Sequence, residues 1–256
     1  MTHPSGVIHP SAVLGSRVCV GPFTTIGAGV EIGDGTEVGA NVTIEAGTVI
    51  GKNCRIFHGA SLGGDPQILD FEKGISSTVK IGESTVVREF VTVHRSAVEQ
   101  GVTEVGSHCM LMAYCHVAHD CRLGDHVVLV NYTGLPGHIQ VGDGAFISGL
   151  VGIHQFVRIG KYAMIGGMAA VRKDVLPFSL VEGNPARLVS LNAVGLRRNG
   201  FPPKARSAIK GALKLLRQPD LNTSQAVEKI ETEIEMSGEI RYLVNFIKES
   251  SRGITK

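Results

Sequence analysis

The chain has no tryptophan, and aromatic residues occupy 5% of its 256 positions. Charge of one sign is missing as well: 25 basic against 23 acidic residues leave a net +2. That balance excludes capture of a nucleic acid by bulk charge and leaves room only for a local basic patch. No window of ~18 residues is both apolar and free of charge, so no insertion into a membrane is expected. Met1-Thr2-His3-Pro4 carries no basic segment leading into an apolar stretch, and the expected location is cytoplasmic. Cys19, Cys54, Cys109, Cys115 and Cys121 are odd in number and form no CxxC pair, which argues against a disulfide frame and against a zinc knuckle. What the chain has in excess is glycine, 33 residues, spread evenly through the first two thirds. Such spacing fits neither a flexible linker nor collagen and predicts many tight turns in a regular framework.

The regularity is a period of six. From Ile8, steps of six reach Leu14, Val20, Ile26, Ile32, Val38, Ile44, Ile50, Ile56 and Leu62, each a branched aliphatic residue. Glycine follows most of them, and two residues ahead stands a smaller side chain such as Ala12, Thr24, Val42 or Cys54. The register breaks over about 63–78, resumes at Ile81, Val87 and Val93, breaks again over about 95–104, then runs unbroken from Val105 to Val171. Neither a helix nor an amphipathic strand repeats this way. The pattern predicts a parallel β-helix: each hexad is a short strand and a turn, and three hexads close a triangular coil. Aliphatic residues point inward, the smaller ones fill the remaining interior, and glycine is expected to supply corner angles forbidden to other residues. The two breaks must be loops thrown out of the prism, where function commonly resides.

After Glu182-Gly183-Asn184-Pro185-Ala186 the spacing becomes helical. Ile209, Leu213 and Leu216 make one stripe after Pro202-Pro203; Val227, Ile230 and Ile234 a second, with Ser224 as cap; Ile240, Val244 and Ile247 a third. The predicted division is a β-helix over 1–186 and a helical domain over 187–256.

Histidines can be read against the register. His58, His94, His108, His116, His119, His126, His138 and His154 avoid both inward positions, so they face solvent or gather in a cleft. Residues 18 apart stack, which puts His119, Gly137 and Gln155 on one rail with Asp120, His138 and His154 beside it. His119, His138 and His154 are expected within roughly 10 Å of one another, with His116 and His94 close below. Cys54, Cys109, Cys115 and Cys121 fall on the small inward position and read as core filling rather than as reactive thiols.

The hexad ladder, His116-Val117-Ala118-His119-Asp120-Cys121, Ile153-His154-Gln155-Phe156 and Leu191-Asn192-Ala193-Val194-Gly195-Leu196-Arg197-Arg198 together resemble the UDP-N-acetylglucosamine 3-O-acyltransferase family, which opens lipid A synthesis. The resemblance implies a left-handed coil, a homotrimer with clefts between subunits, and transfer of a 3-hydroxyacyl group from acyl carrier protein to the 3-hydroxyl of the UDP-sugar. It implies no cofactor beyond the phosphopantetheine arm of the carrier. His119 matches the general base and Asp120 its supporting carboxylate, although adjacent side chains on a strand point to opposite faces. The Gly137 N–H matches the oxyanion donor. His94, His116, His138, His154 and Gln155 match pocket-lining positions, Asn192 and Arg198 nucleotide contacts, and Gly167 the floor of the acyl channel. An imidazole base near pH 7 suits a weakly nucleophilic hydroxyl, and an N–H donor suits the oxyanion formed on a thioester.

The first loop departs from the family's Asp-Leu-Lys. It reads Gln67-Ile68-Leu69-Asp70-Phe71-Glu72-Lys73, one residue longer, with Asp70 where lysine belongs and Lys73 placed to reach back. Val194 replaces a common glutamate. These changes concern the sugar nucleotide and leave open a 3-amino analogue, which would give an amide by the same chemistry. Basic residues Arg187, Arg197, Arg198, Lys204, Arg206, Lys210 and Lys214 offer a face that would steer an acidic carrier protein. Rival readings are a catalytically dead scaffold and a γ-carbonic-anhydrase-like zinc hydratase on the same prism. Zinc needs at least three converging ligands, yet Gln155 completes the rail, and His116 and His119, three apart, would face opposite ways on an extended strand. No metal is expected.

Overall fold

The computed structural model describes residues 2–72 and 74–256; Lys73 lies outside the described residues. Two-residue strands recur every six residues, and strands one coil apart pair in parallel, Thr25 with Thr43 and Ile26 with Ile44. Among the described residues they form three sheets of nine, eight and ten strands, the faces of a left-handed triangular prism. The first face runs from Val7–Ile8 to Ala170–Val171 and the second from Val13–Leu14 to Arg158–Ile159. The third runs from Cys19–Val20 through Met164–Ile165 into a hairpin, in which Ser179–Glu182 pairs antiparallel with Arg187–Leu191. The 186/187 division therefore falls inside a hairpin that the third face continues into.

The hexad aliphatics fill the prism as the spacing predicts: Leu62, Val93, Val117 and Leu135 have no exposed surface. Each such burial stabilises by roughly 1.5–3 kcal/mol. The smaller inward residues also close polar rungs. Thr24, Thr36 and Thr133 donate from their hydroxyls to Gly39, Gly51 and Ser148 carbonyls, and Cys109, Cys115 and Cys121 donate from sulfur to Gly124, Val130 and Pro136. Burial pushes the Cys109 and Cys115 thiols up to about 11 and Cys121 to about 12, so these are inert fillers, as expected.

The glycines act differently from expectation. Gly21, after Val20, does not adopt a positive φ; a Cβ there would lie 2.6 Å from the Gly39 carbonyl carbon of the next coil. Glycine at this position permits the close approach of stacked coils. The left-handed backbone sits two residues later and is carried largely by other residues, including Asn41, Tyr114, Asp120, His126 and His138.

Both predicted loops exist. The first lies between Ser61–Gly64 and Thr78–Ile81, and the second is shorter than expected, 95–101, because Val102–Val105 already pairs with Thr78–Ile81, Val102 with Thr78. The tail forms α1 (Ala193–Arg198), α2 (Pro203–Leu216), α3 (Thr223–Glu233) and α4 (Gly238–Lys248). The helical stripes give α2, α3 and α4, while α1 is too short to show one. Asn222 rather than Ser224 caps α3, in a reciprocal box with Gln225. Among the described residues, no helix is long and apolar enough to cross a membrane.

Candidate active site

Both loops leave the corner between the first and second faces, and they are tied together there. Arg95 pairs with Asp65 at 2.9 Å and donates to the Ile75 carbonyl and Ser77 Oγ; Ser77 in turn donates to the Ser96 carbonyl. Beneath this cover lie His94 and His119, each 8% exposed. Neither is in the prism core, as the register requires, yet both are more buried than a solvent-facing position would be.

Asp120 turns the corner at φ 60°, held by its N–H donating to buried Thr103 Oγ1 at 2.8 Å. The strand alternation that set Asp120 apart from His119 does not apply, because both stand on the turn. His119 Nδ1 lies 2.7 Å from Asp120 Oδ2. Burial alone would raise the Asp120 carboxyl. Hydrogen bonds from Ser96, His119 and the Ala97 N–H, with His138 nearby, outweigh it and hold the group below its ordinary range. An ionised carboxylate accepts, so Nδ1 carries the proton and Nε2 presents its lone pair.

That lone pair faces the next coil at Gly137. A Cβ on Gly137 would lie 2.4 Å from His119 Cε1 and 2.5 Å from Nε2, so only glycine lets the imidazole rest there. At corresponding corners Asp34, Asp125 and Asp143 accept the N–H of Ser16, Ser107 and Asp125 one coil back. Among the described residues nothing accepts the Gly137 N–H.

His138 completes the cluster. Its ring is 5.1 Å from that of His119 and perpendicular to it, is stacked on Phe156 at 4.5 Å, and has Nε2 3.8 Å from Asp120 Oδ2. On the adjoining face, His94 and His116 meet edge to face at 4.9 Å, and Thr92 Oγ1 shares a hydrogen bond with His116 Nδ1 at 2.7 Å. Burial, followed by His94 and His119, pushes His116 down to about 4; burial, then His119, lowers His94. His94 Nδ1 is buried without a partner.

Gln155 adjoins the cluster through the chain, since the N–H of the next residue, Phe156, donates to the Gly137 carbonyl at 3.3 Å and its ring stacks on His138. His154 and Gln155 are exposed, and His154 Nδ1 lies 3.0 Å from both Arg252 Nη2 and the Gln155 carbonyl. No ring contact joins His154 to His119 or His138. Asn192 caps α1 by accepting from Gly195 N–H and donates to the Tyr162 carbonyl. Arg198, Asn192 and Val194 line a cavity of about 500 Å³ with Phe146, Met164 and Glu182 on the third face. Gly167 sits at the corner of the third and first faces, where an added Cβ would lie 3.6 Å from the Gly149 carbonyl oxygen. Within one chain, the His119 group and the Arg198 group thus occupy different faces of the prism. Sequence reading missed Arg95, Ser96 and Thr103; the available signal was that they fall where the hexad register breaks.

Imidazole and carboxylate atoms of His119, Asp120 and His138 lie within 4.8 Å of one another. Two ligands of a tetrahedral zinc stand about 3.3 Å apart at metal–ligand lengths of ~2.0–2.1 Å. The 2.7 Å contact between His119 and Asp120 is a hydrogen-bond separation, suited to a shared proton.

Residues 11–46 and 103–137 match the bacterial transferase hexapeptide (six repeats), and residues 174–255 match domain 2 of UDP-N-acetylglucosamine O-acyltransferase. The acyl-[acyl-carrier-protein]–UDP-N-acetylglucosamine O-acyltransferase of Sulfurihydrogenibium sp. (strain YO3AOP1) is 54% identical over 253 residues, covering 98% of this chain and 93% of the relative. That of Thermodesulfovibrio yellowstonii is 44% identical over 99% of this chain and 98% of its own length. The UDP-N-acetylglucosamine acyltransferase structure from Bacteroides fragilis 9343 superposes with a TM-score of 0.97 at 40% identity, covering both chains completely.

Proposed function

This chain belongs to the acyl-[acyl-carrier-protein]–UDP-N-acetylglucosamine O-acyltransferase family, and from that premise we propose that it moves a 3-hydroxyacyl group from acyl carrier protein to the 3-hydroxyl of UDP-N-acetylglucosamine, the opening step of lipid A synthesis. The observation that carries the mechanism is the His119–Asp120 pair packed against Gly137, whose N–H has no acceptor among the described residues. His119 Nε2 takes the proton of the sugar hydroxyl as its oxygen attacks the thioester carbonyl. The Gly137 N–H receives the oxyanion. The C–S bond then breaks, and the phosphopantetheine thiolate leaves with the proton returned from Nε2. No covalent enzyme intermediate and no cofactor other than the carrier's own arm is needed.

Nucleotide contacts from Asn192 and Arg198 require a second copy of the chain, because these residues lie on a different face from His119. Phe90, Tyr114, Tyr132, Leu150 and Met168 form an exposed apolar ladder along the third/first corner, with Phe90, Tyr114 and Tyr132 stacked at 5.0–5.2 Å. Such a ladder suits burial between protomers of a homotrimer. His94, His116, His138, His154 and Gln155 then border the pocket for sugar, diphosphate and acyl chain, and Gly167 floors the acyl channel. For the acidic carrier protein, a cleft of about 490 Å³ lined by Arg172, Lys173, Arg187 and Lys256 supports docking beside the helical domain. Five cysteines without disulfides fit a reducing, cytoplasmic compartment.

The test is transfer from 3-hydroxyacyl carrier proteins to UDP-N-acetylglucosamine and its 3-amino analogue, with and without a chelator, alongside carbon dioxide hydration. The expected result is chelator-insensitive ester formation on UDP-N-acetylglucosamine. Hydration without transfer would replace this function with the zinc reading.

A further inference from the structure

The Asp120 carboxylate is surrounded by donors that the reaction itself does not call for. Ser96, wholly buried, donates its hydroxyl to Oδ1; the Ala97 N–H donates to Oδ2 at 3.3 Å; and His119 approaches the same Oδ2. Ser96 is held in turn: its Oγ accepts from the Val98 N–H at 3.0 Å, and its carbonyl accepts from Ser77 of the first loop at 2.6 Å. Arg95, the preceding residue, binds three groups of that first loop.

We propose that Ser96 is a positioning residue for the transfer reaction: its hydroxyl fixes the Asp120 carboxylate, and through it the orientation of His119, so that the two loops together align the base. This rests on the His119–Asp120 reading above. A carboxylate with donors on both oxygens cannot rotate freely, so the oxygen facing Nδ1 stays in place through the cycle. The same donors favour the charged form of Asp120 and temper its pull on the imidazole proton. Removing Ser96 Oγ leaves a more basic and less anchored carboxylate. The imidazolium is then retained to higher pH and the base is less often aligned.

The test compares Ser96→Ala and Ser96→Gly with Asp120→Asn and the double variant, in the full-length oligomer, with folding monitored by thermal unfolding. Ser96→Ala is expected to lower kcat about ten-fold, leave the KM for UDP-N-acetylglucosamine within about three-fold, and move the acid limb of kcat/KM up by about half a pH unit. Against Asp120→Asn the same change should cost less than about two-fold. If Ser96→Ala does not fold, Ser96→Gly, which removes the hydroxyl without burying a methyl, carries the same expectations. An unmoved acid limb with near-normal kcat, or an undiminished loss in the Asp120→Asn background, overturns the role of Ser96. Normal turnover in Asp120→Asn and His119→Ala overturns the underlying dyad instead.

Discussion

Two corners of the prism carry histidines at the same place in the hexad and behave differently. At the second/third corner, His108 and His126 adopt φ of 57° and 58°; at the first/second corner, Asp120 and His138 adopt 60° and 63°. The backbones are equivalent. His108 and His126 simply stack in solvent, 4.9 Å apart with rings 8° from parallel. His138 stands perpendicular to the neighbouring His119 ring, and loops cover the pair below it. The difference lies in what surrounds the corner. One is bare, and the other receives both insertions, the second of which brings Ser96 and Ala97 against Asp120, while Thr103 reaches it from the strand that follows. The hexads place an imidazole and its carboxylate side by side; the second insertion adds the Ser96 and Ala97 donors that hold the carboxylate.

The largest expected effect contrasts the two corners directly. His119→Ala should reduce acyl transfer by roughly 10³-fold or more, as loss of a general base does, while His126→Ala stays within about two-fold and unfolds within about 0.5 kcal/mol of the parent. Steady-state assays with matched size-exclusion profiles would read both; equal losses at the two corners would abolish the distinction. Next comes the glycine beneath the base. Gly137→Ala places a methyl in the His119 ring, and kcat should fall about 100-fold as the imidazole is displaced from its productive position. Gly134→Ala, three residues earlier on the open first face with nothing within 4 Å of its Cβ, tests whether any added methyl does the same; its fold should tolerate the change.

The third expectation concerns stability. His116 is pushed down to about 4 from an ordinary 6.5, so the unfolded chain binds a proton that the native site refuses. Its contribution is complete above pH 6.5 and is lost as pH falls towards 4. Allowing for solvent screening of a part-exposed ring, the loss is about 2 kcal/mol. Denaturant unfolding across that window should show the decline, and His116→Gln should flatten it. An unchanged slope in that variant would assign the acid sensitivity elsewhere.

Much of this was legible because a six-residue period leaves few choices. Ile26, Ile44 and Leu62 had to point inward together, counting in eighteens put His119 against Gly137, and the breaks in register announced the loops. Local geometry within a turn was less legible. Alternation along a strand set His119 and Asp120 on opposite sides, whereas the left-handed turn at Asp120 brings them to 2.7 Å. Likewise the reason for glycine after each aliphatic was steric approach of the next coil rather than a special φ, which composition cannot distinguish.

The prism, its aliphatic interior and the corner on which the imidazoles gather follow from residue order alone, since burial of a periodic apolar set admits one arrangement. Folding across loops and coils, in contrast, set the lock of Asp120 by Ser96 and Ala97, the burial that lowers the His94 and His116 imidazoles below their ordinary range, and the placement of Arg198 on another face from His119. Hydrogen bonding and desolvation depend on groups brought together across loops and coils, and such distances are set when the chain folds.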